Sequence, residues 1–381
     1  MNILVLGAGL VGRPMAADLA ADKRFNVTVA DISAANLAKV PKHLPLRTVQ
    51  ADLTDGGWLA KLLADCDIAV NAVPGWMGYA TMKRIIAAGK DAVDIAFYPE
   101  DPFTLDALAL EKNVTAVVDC GVAPGMSNLL ASHAAGLLDA AETILIYVGG
   151  LPVVREWPFE YKAGFSPIDV IEEYTRPARY VENGALVVRP ALSDPELLSF
   201  PGVGTLEAFN SDGLRTLATT MSVPTMKEKT LRYPGHIDKI RVLRESGFFG
   251  TEEVEVKGTM VRPVDLAAKL LFPMWELNEG ERDFTVMRII VEGTKDGARL
   301  RHVYDLLDHH DERSGVHSMA RVTGYTATAA VRLLAAGLYS QKGISPPEYL
   351  GRNGACVNFV LDDLRSREVR YRHTVETAAA R

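Results

Sequence analysis

Ile3-Leu4-Val5-Leu6 runs directly into Gly7-Ala8-Gly9-Leu10-Val11-Gly12, and a second apolar run, Val27-Thr28-Val29-Ala30, ends on Asp31. The glycines fit G-x-G-x-x-G, a weak signal alone because glycine is common. Its surroundings strengthen it. The motif follows a β-rich run and opens a helical pattern carrying Met15, Leu19 and Ala20, and Asp31 stands 24 positions after Gly7, near the offset of about 20 that a dinucleotide fold uses. Gly7 permits a tight turn out of the strand, Gly9 lets backbone approach a pyrophosphate, and Gly12 lets helix and strand pack closely. Leu10 and Val11 complete the loop. The helix start offers unpaired N–H groups and partial positive charge to phosphates. Asp31 would accept hydrogen bonds from ribose hydroxyls and repel a 2′-phosphate, so the expected cofactor is NAD, bound by a Rossmann domain.

The pattern continues outward from that motif. β-rich runs recur at residues 27–30, 46–49, 68–72, 92–95 and 116–118. Helical patterns separate them, marked by Leu59, Leu62 and Leu63, by Met82, Ile85 and Ile86, and by Leu105, Leu108 and Ala109. This alternation predicts an α/β domain over residues 1–122, a doubly wound parallel sheet whose strands read as continuous apolar runs. The pattern changes after Asp119-Cys120-Gly121. A helix is expected from Met126 and a strand at 144–148. Asn183-Gly184 and Lys295-Asp296-Gly297 mark hairpin turns, the second between runs at 285–292 and 299–306. Residues 123–335 therefore read as an α+β domain with an open mixed sheet, closed by a helix at 318–334. In residues 336–381 a strand is expected at 357–361, and the last six residues are expected to fray.

The bulk numbers bound the class. A chain of 381 residues exceeds the roughly 250–300 residues of one core, so two domains are expected. It is 48% hydrophobic and 23% charged, which suits globular cores. A net charge of -7 gives no bulk attraction to nucleic acid or anionic lipid. Three cysteines, Cys66, Cys120 and Cys356, lack metal-ligand spacing and read as reduced thiols. No run approaches the ~18 apolar residues of a membrane span, and no basic leader precedes one. The expected location is the cytoplasm.

Open α/β sheets bind ligands beyond the carboxyl ends of their strands. Asp52 follows the third run, where it either lies near the adenine or serves as a solvated loop acid or cap. Asn71, Val73 and Pro74 follow the fourth run, on the nicotinamide side. Asp94, Phe97, Tyr98 and Glu100 follow the fifth, and Asp119, Cys120, Gly121 and Pro124 the sixth. Asp94 is a candidate proton carrier, with a cap or buried acceptor as its alternative; Cys120 reads as a pocket wall or small core residue more than a nucleophile. In the second domain, Tyr174-Thr175-Arg176-Pro177-Ala178-Arg179 and Thr230-Leu231-Arg232-Tyr233-Pro234-Gly235-His236 concentrate polar groups at turns. Arginine suits two-pronged carboxylate binding, and histidine titrates near neutrality. His302, His309, His310 and His317 gather near Asp308, Asp311 and Glu312 without metal spacing, so no metal is expected there and a solvated hairpin end is the preferred reading.

These residues resemble the saccharopine dehydrogenase-like family, most closely its lysine 6-dehydrogenase branch. The resemblance rests on the glycine loop, Val93-Asp94-Ile95-Ala96-Phe97, Asp119-Cys120-Gly121-Val122-Ala123-Pro124-Gly125, Gly149-Gly150-Leu151-Pro152, the Glu172–Ala178 string, Arg232-Tyr233-Pro234-Gly235-His236, and the stretch from Ser318 to Tyr325. It implies that the α+β domain is inserted and that residues 336–381 return to the Rossmann domain. It also implies a homodimer and oxidation at an amine-bearing carbon, with L-lysine deaminated by NAD at its ε-amine to allysine, which cyclises. Asp94 and His236 are then expected to move protons. Tyr98, Cys120, Arg176 and Arg232 are expected to face the substrate, the two arginines its carboxylate. The saccharopine reductase branch carries Asn-Arg-Asp-Ser where this chain has Asn210-Ser211-Asp212-Gly213, which argues against a substrate with an extra dicarboxylate arm. The alternatives are a saccharopine- or carboxynorspermidine-type reductase of the same family, or a non-catalytic NAD-binding regulator. The expected partner is a small amino acid, with no nucleic acid and no membrane.

Overall fold

The computed structural model describes residues 1–164, 167–278 and 280–377. The chain forms two compact units, Met1–Gly136 with Ala320–Arg370, and Leu137–Met319 with Tyr371–Arg381.

The first unit is built on β1 (Asn2–Leu6), β2 (Asn26–Asp31), β3 (Leu46–Gln50), β4 (Ile68–Asn71), β5 (Asp91–Asp94) and β6 (Thr115–Val117). A further strand, Gly343–Ser345, joins the edge, giving the order Gly343–Ser345, β6, β5, β4, β1, β2, β3, with all neighbours parallel. Leu4, Val5 and Leu6 are buried on both sheet faces, as a strand covered by helices on each side requires. The strand order reverses at β1, where a crevice opens in doubly wound sheets. Register fixes what stands there. Leu6 pairs with both Ala30 and Asn71, and Asn71 pairs with Asp94. The glycine loop, Asp31, Asn71 and Asp94 thus share the carboxyl edge.

The second unit is a mixed sheet. Its strand order is Glu196–Phe200, Gly204–Asn210, Thr225–Arg232, Ala140–Pro152, Asp283–Lys295, Ala298–His309, Tyr371–Thr377. Only the Thr225–Arg232 pairing with Ala140–Pro152 is parallel along this path. The α+β reading with an open mixed sheet therefore holds. The helices Pro167–Thr175, His236–Glu245 and Pro263–Trp275 share an apolar core with Tyr161, Phe209 and Trp275.

The boundaries differ from the sequence reading of 122/123 and 335/336. Helix Met126–Gly136 stays with the first unit, because Asn128 Nδ2 donates to Glu348 Oε2 at 3.2 Å and Ser132 Oγ to the Glu348 carbonyl at 2.8 Å. Helix Ser318–Ala335 also lies largely there: the Arg332 guanidinium meets Asp18 at 2.8 Å and Asp363 at 3.2 Å. Residues 357–361 are not a strand. They lie in helix Gly354–Ser366, capped by Asn353 accepting from Ala355 N–H, with Cys356, Val357, Val360 and Leu364 buried at helical spacing. Of the six residues expected to fray, Glu376 and Thr377 are paired. Val375, Glu376 and Thr377 pair with His302, Arg301 and Leu300, while 378–381 lie outside the described residues.

Candidate active site

The glycine loop has the form that a dinucleotide requires. Gly7 has φ +105°, and a Cβ there would stand 2.4 Å from the Ala72 carbonyl oxygen. A Cβ on Gly12 would stand 2.1 Å from the Gly7 carbonyl oxygen, so helix Gly12–Ala20 packs against the turn only as glycine allows. Around Gly9 there is no atom within 4 Å of a would-be Cβ. The first two glycines serve packing and Gly9 keeps the loop face open, so the loop fits a pyrophosphate. Asp31 Oδ2 accepts the Ala8 N–H at 2.7 Å and Oδ1 accepts the Ser33 N–H at 2.7 Å. Its carboxylate thereby braces the loop. Val11 begins the helix, its carbonyl accepting from Met15 N–H, and Leu10 is partly exposed beside it.

Further along the edge, Asp94 is fully buried. Its Oδ1 accepts from Asn71 Nδ2 at 2.7 Å and from Ala96 N–H at 3.2 Å. Asn71 also donates to the Gly78 carbonyl at 3.1 Å, so its amide orients Asp94. Val73 is buried and Pro74 caps helix Gly75–Ala87. The Cys120 N–H donates to the Asp94 carbonyl at 2.8 Å. Burial pushes the Cys120 thiol far up, with the Asp94 charge adding, so it stays protonated and is no nucleophile.

Three expectations in this unit change. Tyr98 is entirely buried, its ring packed in the apolar core of the unit and edge-on to Tyr79 at 5.8 Å. Cys120 is 2% exposed, beside Asp94 and with its thiol protonated. Asp52 is exposed and accepts from Thr54 N–H at 2.9 Å and Thr54 Oγ1 at 2.7 Å, closing its own turn. The loop-cap alternative is the one realised.

In the second unit a buried relay joins the two strings singled out above. Arg232 Nε donates to the Tyr174 hydroxyl at 3.2 Å, and that hydroxyl lies 2.9 Å from His236 Nε2. His236 Nδ1 lies 2.8 Å from the Phe159 carbonyl, which can only accept, so Nδ1 carries the proton and Nε2 accepts from Tyr174. Burial, helped by the Arg232 charge, lowers the imidazole to about 3. His236 is therefore neutral, 1% exposed and fully engaged. It serves as a structural relay in place of the expected proton carrier. Arg232 likewise has its own carboxylate, Glu173 at 2.7 Å, and lies over the Tyr161 ring at 4.4 Å. Its donors are committed inside the unit, against the expectation that it holds a substrate carboxylate. Arg176 pairs with Glu172 one helical turn away at 3.3 Å.

The histidine cluster divides: the His310 and His317 rings stay 5.2 Å apart, while His302 lies elsewhere. His302 and Asp308 are buried, not solvated; the His302 and His373 rings stack at 5.2 Å, and Asp308 accepts from Ser318 Oγ at 2.7 Å.

Sequence reasoning missed Glu228. It lies on strand Thr225–Arg232, where alternation places Met226, Glu228, Thr230 and Arg232 on one face and Lys227 and Lys229 on the other. Glu228 Oε2 accepts from Ser211 Oγ at 2.7 Å and from Gly213 N–H at 3.1 Å. Burial, with Glu173 and Asp212 adding, pushes this carboxyl up to about 7. The signal was present: an acid in step with Thr230 and Arg232 on an inward face. Ser211 and Gly213 are the two positions of Asn210-Ser211-Asp212-Gly213 that depart from the Asn-Arg-Asp-Ser of the reductase branch.

Two family models cover the chain. Residues 3–117 match the saccharopine dehydrogenase NADP binding domain, and residues 121–369 match the saccharopine dehydrogenase C-terminal domain. The chain belongs to the saccharopine dehydrogenase family. Saccharopine dehydrogenase (NADP, L-glutamate-forming) of Pyricularia oryzae is 22% identical over 454 residues, covering 98% of each chain. The Saccharomyces cerevisiae enzyme of that name is 26% identical over 272 residues, 67% of this chain and 60% of its own length. Carboxyaminopropylagmatine dehydrogenase of Synechocystis is 22% identical over 90% of this chain and 91% of its own. The solved structure of the S. cerevisiae saccharopine dehydrogenase superimposes with a TM-score of 0.78 at 20% identity, covering 99% of this chain and 100% of that one. Such relatives are named dehydrogenases, so this family member is an oxidoreductase acting on CH–NH groups with a nicotinamide cofactor.

Proposed function

We propose that this chain oxidises the carbon bearing a primary amine in a small amino acid, with L-lysine at its ε-amine as substrate and NAD as oxidant. The balanced reaction is L-lysine, NAD⁺ and water to allysine, ammonium, NADH and a proton, after which allysine cyclises. The observation that carries the cofactor choice is the Asp31 carboxylate at the end of β2, bound to the loop through Ala8. A 2′-phosphate there would meet a like charge. The observation that favours a cationic amine is Glu228, an acid beside Ser211 and Gly213.

When bound, the nicotinamide supplies the hydride acceptor. The loop from Gly7 to Gly12 would hold the pyrophosphate, and Asp31 the adenine ribose. Asp94, oriented by Asn71, is the group assigned to take a proton from the substrate amine. A carboxylate held by a fixed amide needs little reorganisation when it does so. The relay from Arg232 through Tyr174 to His236 keeps the second unit's buried face in one hydrogen-bonded arrangement. On this reading the protein works as a homodimer in the cytoplasm, where Cys66, Cys120 and Cys356, all free and buried, stay reduced.

A second reading is supported by the relatives' names: reduction of an imine by a saccharopine- or carboxynorspermidine-type enzyme. The test is the near-ultraviolet absorbance of reduced nicotinamide with purified protein, NAD or NADP, and L-lysine, saccharopine and diamines. NADH formation on L-lysine supports the proposal. Turnover with saccharopine and NADP alone supports the second reading.

A further inference from the structure

We propose that Glu228 is the counter-ion for a primary ammonium group of the substrate, so that this chain selects small cationic amines through one buried carboxylate. The inference rests on the amine reading above and names the residue that recognises the charge.

Three acids meet in this part of the second unit, and two have their own cation. Glu173 has Arg232 at 2.7 Å. Asp212 has Arg179 in a two-pronged pair, both contacts at 2.8 Å. Glu228, 4% exposed, has a hydroxyl and one backbone N–H, both on Oε2. Among the described residues no cation pairs with it, and no donor reaches its second oxygen, Oε1. Lys227 and Lys229 belong to the opposite face, paired with Glu182 at 2.9 Å and Glu196 at 2.7 Å.

A buried carboxylate without a cation is costly. The fold does not need that charge. A glutamine would accept the same two hydrogen bonds from Ser211 and Gly213 through its amide oxygen. The local chain is shaped around this side chain: a Cβ on residue 213 would stand 2.3 Å from Glu228 Cδ and 2.7 Å from Oε1. The fold therefore keeps an ionisable acid in this place and brings only two donors to it from the described residues, both on Oε2. An ammonium ligand supplies both the missing positive charge and the missing donor, and its three N–H groups can satisfy Oε1. A dicarboxylate arm brought to the same place would meet repulsion.

The test compares the full-length protein with Glu228→Gln and Glu228→Asp. Calorimetry measures L-lysine, cadaverine and NAD binding, and steady-state rates accompany it. The Gln variant should bind L-lysine or cadaverine about 10–100-fold more weakly, the loss of one charged hydrogen bond. KM should rise more than kcat falls, NAD affinity should hold, and the Asp variant should recover part of the loss. Unchanged amine affinity in the Gln variant overturns the counter-ion role while native turnover still upholds the amine reading. Native binding without turnover of any amine sinks that reading, and loss of the binding in the Gln variant still upholds the counter-ion. A native protein that binds neither amine overturns the proposal. Because the Gln variant retains both hydrogen bonds, an unchanged circular dichroism spectrum separates recognition from misfolding.

Discussion

The backbone nitrogen of Gly213 lies 3.1 Å from Glu228 Oε2, an approach that exists only because residue 213 has no side chain. Gly213→Ala should force the strand or the carboxylate to shift. Overpacking of this kind costs about 1–3 kcal/mol, read as a lower urea midpoint at unchanged slope. In the background of Glu228→Ala the same change should cost much less, because the obstructing carboxylate is gone. Equal costs in both backgrounds would refute the packing account.

Glu228 also sets a pH dependence. Its carboxyl holds a proton up to about 7 in the folded chain, against 4.5 ordinarily. Between those values the folded state binds more protons, so this group's stabilising contribution falls as pH rises and is gone above about 7. His236 acts with the opposite sign: its folded value is about 3 against 6.5, so its contribution is lost as pH falls from 6.5 towards 3. The difference between native protein and Glu228→Gln isolates the first group. The variant should be more stable by up to about 3 kcal/mol at pH 8 and show no gain at pH 4. A variant less stable than native at pH 8 would show that the charge is compensated within the fold.

Arg232 and Glu173 should behave as a coupled pair. Arg232→Met leaves Glu173 without its partner at 2.7 Å and removes the donor to Tyr174. A loss of about 3–5 kcal/mol is expected. Adding Glu173→Gln should recover part of it, a positive coupling in a double-mutant cycle. Additive losses would show that the pair contributes nothing as a pair.

Asp31 should govern cofactor choice. Asp31→Ser removes the charge assigned to the ribose and the bond to Ala8. The expected result is a kcat/KM for NAD lower by about tenfold or more, with NADP use rising, since like-charge juxtaposition costs several kcal/mol. A NAD to NADP ratio that does not move would detach Asp31 from selection.

The first unit was legible because its strands are buried on both faces, and continuous runs such as Ile3-Leu4-Val5-Leu6 admit one reading. The glycine loop was legible because packing, not ligand, already requires Gly7 and Gly12. Residues 357–361 read as a strand because a short apolar run has no periodicity of its own; the cap at Asn353 and burial of Leu364 decide for helix. Tyr98 and Arg232 read as substrate contacts and His236 as a proton carrier because polar groups at strand ends look free in a sequence. Pairing across 59 positions, as between Arg232 and Glu173, is invisible until the chain folds. Glu228 was hidden for the converse reason: it sits in the strand interior, and its lack of a cation shows only once Glu173 and Asp212 are seen with theirs.

The most direct test of the account follows reduced nicotinamide formation with purified protein, L-lysine, and NAD or NADP in parallel, with ammonia measured in the same reaction. The account predicts NADH and ammonia in equal amounts with L-lysine, and far slower turnover with NADP. Absence of turnover with L-lysine, together with NADP-dependent oxidation of saccharopine, would contradict it.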